Sequence, residues 1–119
     1  MKQIKILNAY GVTEMLSKND RLSVDALLAL FKLRKFLQPY IEFAEERQQT
    51  IIEKYKQFID EKGNITGEPF NNYTVEISEL METDIEIDPF EKRTIILKDD
   101  MGITLQMMEA LEPFIEFDK

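Results

Sequence analysis

The chain has 119 residues, 44% of them hydrophobic and 32% charged, which suits one folded domain with a modest core rather than a disordered chain. It contains no His and no Cys. That excludes a disulfide framework and the usual zinc ligands, and it removes the commonest general base and the best thiol nucleophile. Neither catalysis nor a cofactor or metal is expected on this basis.

The net charge is −8 and unevenly spread. Residues 1–36 carry seven basic and three acidic side chains, and residues 37–119 carry eight basic and twenty acidic. Phosphate affinity comes from Lys and Arg, so direct nucleic-acid binding is not expected. An acidic surface favours solubility or a partner with a basic face. No apolar run approaches the ~20 residues that span a bilayer. The first residues carry two lysines but no long apolar segment, so neither a signal peptide nor membrane attachment is expected. The absence of Cys is compatible with a cytosolic setting.

In chain order, Ile4 and Ile6 alternate with Lys5, which predicts a short N-terminal strand over residues 2–7. Val12, Met15 and Leu16 predict a helix over 9–18. Asn19-Asp20 marks a turn. Ser23 is suited to cap a long helix, with Asp25 in its first turn. An apolar seam then recurs at steps of three and four: Leu27, Leu30, Arg34, Leu37, Ile41, Ala44, Gln48, Ile51, Tyr55, Phe58. Pro39 interrupts it, and with no turn residues nearby a kinked but continuous helix is expected. Lys62 and Gly63 are expected to end it. Such a helix would be about 58 Å long at ~1.5 Å per residue. Its far end is therefore expected to project, or to be covered by a second copy of the chain.

Phe70, Tyr73, Ile77, Leu80 and Met81 predict a helix that begins near Pro69. Residues 83–88 alternate strictly, with Asp84, Glu86 and Asp88 on one side and Ile85 and Ile87 on the other, which predicts a half-buried strand. Residues 93–98 predict its antiparallel partner, with the N-terminal strand as a third. A turn at Asp99–Gly102 precedes a short helix from Thr104 to Leu111, and Phe114–Phe117 is an apolar tail that docks on the core. The expected fold is one α+β domain over 1–119: a long kinked central helix with shorter helices and a small antiparallel sheet.

The stretch from Glu76 to Glu91 holds seven carboxylates and no basic residue. Three readings apply to it. Asp84, Glu86 and Asp88 could bind a hard cation, although the calcium-loop pattern fails, with Pro89 at its glycine and Ile95 at its glutamate. The row could mimic nucleic acid and fill a basic groove. Or it could be a solvated face that discourages edge pairing. Two sets of residues are candidates for partner binding: Ile51, Tyr55 and Phe58 on the far helix seam, and Glu82, Asp84, Glu86 and Asp88 on the acidic row.

The order of several segments carries a resemblance. Glu45-Glu46-Arg47 and Ile51-Ile52-Glu53-Lys54-Tyr55 lie on the long helix, followed by Asp60-Glu61-Lys62-Gly63-Asn64-Ile65. Then come Glu79-Leu80-Met81-Glu82, the acidic Thr83–Asp88 segment, and Met108-Glu109-Ala110-Leu111-Glu112-Pro113-Phe114-Ile115. Over nearly its whole length the chain resembles a family of small phage and prophage proteins of unknown function. The resemblance implies a viral or prophage origin and a soluble protein in a bacterial host cytoplasm. The apolar seam projecting beyond the core must be covered, so a non-enzymatic accessory protein that binds a phage or host protein is expected. A homo-oligomer formed through the long helix is a further expectation. An inhibitor of a host defence nuclease, such as an anti-CRISPR, is the alternative. The resemblance transfers no catalytic residue.

Overall fold

A computed structural model describes residues 1–98 and 100–118. The chain runs α1 (Gln3–Leu16), α2 (Val24–Tyr55), α3 (Glu68–Glu82), β1 (Arg93–Ile96), α4 (Leu105–Leu111) and β2 (Ile115–Asp118). It is mostly helical. At about 1.5 Å per residue the 32 residues of α2 extend some 48 Å, nearly the 51 Å long axis of the molecule.

Three helices start where their sequence signals say. The Ser23 hydroxyl accepts a hydrogen bond from the Ala26 N–H at 3.1 Å. Thr104 does the same for Met107 at 3.2 Å. Pro69 occupies the first turn of α3, where its missing N–H costs nothing. α2 passes through Pro39 without a break. Pro39 is exposed, so its ring stands on the outer side of the helix, where it leaves the Lys35 carbonyl without its usual donor.

The core lies along the first half of α2. Ala26, Leu30, Leu33, Leu37 and Ile41 face Ile6, Ala9 and Leu16 of α1, with Ile95, Leu111, Phe114 and Ile115 closing the other side. Phe36 packs on Phe90 at 4.8 Å between ring centroids, and Phe90 meets Phe114 edge-on at 5.9 Å. α3 runs back along the second half of α2, since Tyr55 meets Tyr73 while Tyr40 meets Asp88.

Several expectations are corrected. The sheet is not antiparallel. β1 and β2 pair in parallel, Arg93 opposite Ile115 through Ile96 opposite Asp118. The chain between them includes α4, the kind of helical crossover that parallel neighbours require. The apolar C-terminal tail is thus the second strand. The N-terminal strand over 2–7 is absent, because that segment belongs to α1. Residues 83–88 form no strand and are extended, joined to the N-terminus by one antiparallel bridge, Lys2 to Asp84. The long helix stops at Tyr55, followed by a 3-10 turn at Lys56–Phe58, rather than at Lys62. The Asp60 carboxylate takes the Lys62 and Asn64 N–H groups, each at 2.9 Å, and so competes with helical bonding. Gly63, at φ 81°, serves that turn. The far end of α2 is covered by the chain's own α3.

Of the expected turn at Asp99–Gly102, Asp99 lies outside the described residues. Gly102 has φ 72°, and a side chain there would run into the Arg21 guanidinium.

Candidate functional site

The acidic segment is held as a ribbon by hydrogen bonds to its backbone at both ends. The Ile85 N–H donates to the Met1 carbonyl at 2.8 Å, and the Met1 ammonium donates back to the Ile85 carbonyl at 3.1 Å. The Gln3 N–H donates to the Thr83 carbonyl at 2.9 Å. One of the orphan donors at the start of α1 is satisfied in this way. At the other end the Asp88 N–H donates to the Tyr40 hydroxyl at 2.9 Å. Ile85, Ile87 and Phe90 are half-buried against the core. Alternation therefore turns Asp84, Glu86 and Asp88 outward, and all three are exposed.

Glu82 differs from its three neighbours. Its carboxylate pairs with the Lys2 ammonium at 2.6 Å, and that hydrogen bond and charge, helped by Asp84, raise the Lys2 pKa. Among the described residues Asp84, Glu86 and Asp88 have no salt-bridge partner within 4 Å. At ~3.3 Å of rise per extended residue, their side chains emerge about 7 Å apart on one face. Among the described residues no group of three carboxylates is placed to hold a metal ion, so the row is a line of separate charges.

The other candidate set is dispersed. Tyr55 is buried, edge-on to Tyr73 at 5.7 Å and 6.1 Å from Phe58. Ile51 is half-buried, and Phe58 is 46% exposed at the tip of the α2–α3 hairpin. Lys54 pairs with Glu76 at 2.8 Å. That hydrogen bond, and next the neighbouring Tyr55 hydroxyl, hold the Glu76 carboxyl below its ordinary range. The seam thus fastens one helix to another, and Phe58 is its one exposed member of the three.

A different apolar surface escaped the sequence reading. Val24, Leu28 and Phe31, at i, i+4 and i+7 on α2, are 80%, 45% and 55% exposed. The signal was present, since the first half of this helix is apolar around most of its girth. A buried all-round helix and a helix with an uncovered second face have the same pattern.

A groove of about 800 Å³ runs between α1 and α4, past Leu7, Gly11, Val12, Met15 and Met107, with Lys5, Glu109 and Glu112 at its borders. Among the described residues no helix is long and apolar enough to cross a membrane. Comparison of the chain with protein-family models, with curated proteins and with solved structures finds no match.

Proposed function

We propose that this chain is a non-catalytic binding protein, a small accessory factor of the phage or prophage kind, and that its contact surface is the acidic ribbon of Glu82, Asp84, Glu86 and Asp88. One observation carries the reading. Three carboxylates with no salt-bridge partner among the described residues stand in a row on backbone anchored at both ends. A solvated acidic face needs no such anchoring. A rigid charged row loses little conformational freedom on binding and steers encounter with a basic partner. The partner is a protein with a cationic groove.

The more specific form of this reading is inhibition of a nucleic-acid-binding enzyme, with the carboxylate row in place of phosphates. The lack of any cation among residues 76–91 favours it.

The test compares two baits in affinity capture from phage-bearing bacteria. One is the wild-type chain. The other carries Asp84→Lys, Glu86→Lys and Asp88→Lys, with circular dichroism confirming that its fold is intact. Wild type is expected to retain a basic protein that the reversed chain loses. Equal recovery by both baits, or none by either, refutes the proposal. If the captured protein binds DNA, displacement of that DNA by the wild-type chain separates mimicry from simple docking.

A further inference from the structure

We infer that this protein self-associates through the first half of α2, packed antiparallel against the same helix of a second copy, with the two-fold axis beside Leu28. The inference is independent of the acidic ribbon.

The occupant follows from how the exposed face is laid out. An α-helix turns about 100° per residue. Taking Leu28 as the centre of the face, Val24 and Phe31 lie about 40° and 60° to one side of it. Asp25 and Lys32 lie about 60° and 40° to the other side. All five are exposed. Along the axis, Val24 and Asp25 precede Leu28 by about 6 and 4.5 Å, and Phe31 and Lys32 follow it by about 4.5 and 6 Å.

A two-fold axis perpendicular to the plane of an antiparallel pair keeps each side on its own side and reverses the direction along the helix. Val24 therefore meets Phe31 of the second copy, and Phe31 meets its Val24. On the other side Asp25 meets Lys32 of the second copy, and Lys32 meets its Asp25. Leu28 meets itself. The face is thus self-complementary in both apolarity and charge, as an isologous interface must be. Parallel packing about a two-fold along the helices would instead set Asp25 beside Val24 and Lys32 beside Phe31 of the second copy, charge against apolar surface. Beyond this patch the match ends, since Lys35 of one copy comes level with Arg21 of the other. The Lys35 ammonium already lies over the Phe31 ring, at 5.7 Å, and the Arg21 guanidinium is drawn away over Gly102.

The chain has no cysteine, which makes a direct geometric test available. Helix axes in contact lie about 8–10 Å apart, so with backbone radii of about 2.3 Å the two Leu28 Cα atoms come within about 3.4–5.4 Å. This reaches disulfide range. Lys35 lies about 10.5 Å along the axis from Leu28, so its two copies are about 21 Å apart. Under mild oxidation Leu28→Cys is expected to form a covalent dimer rapidly and Lys35→Cys is not. Sedimentation equilibrium is expected to give a dimer for the wild-type chain. Leu28→Glu is expected to weaken it roughly 30-fold or more, the scale of a central contact. Asp25→Lys and Lys32→Asp should each weaken the dimer, and the double variant should restore it. The triple reversal of the acidic ribbon leaves it unchanged. A strictly monomeric wild-type chain overturns the inference and leaves the stripe to some other protein. Cross-linking of Lys35→Cys as fast as Leu28→Cys, or failure of the charge swap to restore association, also overturns it.

Discussion

The Tyr40 hydroxyl accepts the Asp88 N–H at 2.9 Å, across 48 positions of sequence. This bond joins the middle of the spine to the far end of the acidic ribbon. Tyr40 is half-buried, with its ring 5.8 Å from that of Phe36, so the hydroxyl is aimed by packing. Tyr40→Phe removes one neutral hydrogen bond, which costs about 1 kcal/mol. Amide exchange at Asp88 should accelerate in this variant while exchange within the first half of α2 stays as it was. Unchanged protection at Asp88 would mean that the ribbon is held by its isoleucines alone.

Gln3 presents the opposite situation. Its side chain is fully buried, and both amide atoms lack a hydrogen-bond partner among the described residues. Burying a polar group in this state costs about 1–3 kcal/mol. Gln3→Met keeps the length of the side chain and removes the polar atoms. It is expected to raise stability by about 1–2 kcal/mol, read as a higher urea midpoint with the same slope. A lower midpoint would show that the amide has a partner after all.

The same residue explains the main misreading of the sequence. The buried positions of α1 are Gln3, Ile6, Ala9, Thr13 and Leu16, which is helical spacing. Two of the five are polar, so hydrophobicity alone hides the period, and Ile4 with Ile6 mimics a strand. Thr13 resolves its own polarity by donating to the Tyr10 carbonyl at 2.6 Å. By contrast α2, α3 and α4 were legible because Ser23, Pro69 and Thr104 are local signals that act through the nearest turn of backbone.

Pairing partners are not local, and they were missed. The alternation of residues 83–88 turns the acids outward and the isoleucines inward as expected. It could not disclose that the N-terminal backbone bends into a helix at Gln3 and leaves room for a single bridge. Nor could it disclose that Arg93–Ile96 pairs with the C-terminal segment instead. At the candidate site the acidic row was legible and its anchors, Met1 and Tyr40, were not. The far seam of α2 reads in the sequence as a surface for a partner or a second copy, whereas in the structure its Tyr55 packs on Tyr73 of α3 of the same chain.

Acid should loosen this hairpin. The Lys54 ammonium at 2.8 Å is the largest cause of the lowered Glu76 pKa, with the Tyr55 hydroxyl second. A carboxyl whose folded pKa is depressed contributes stability above its unfolded value and loses that contribution as pH falls through the folded one. Lys54→Met is therefore expected to be less stable than wild type at pH 7, with the difference closing below the ordinary carboxyl value of 4.5. Urea melts at pH 7 and pH 3 read this directly. A gap at pH 3 as wide as the gap at pH 7 would assign the effect to lost packing of the lysine stem.

The central claim is that the anchored acidic ribbon is the surface another protein touches. Hydrogen exchange of the chain, free and then saturated with the partner recovered by capture, tests it most directly. The account predicts new protection at residues 82–88, with amides at the α2–α3 tip around Phe58 unchanged. Protection confined to that tip, or to the groove between α1 and α4, with residues 82–88 exchanging as in the free chain, would contradict it.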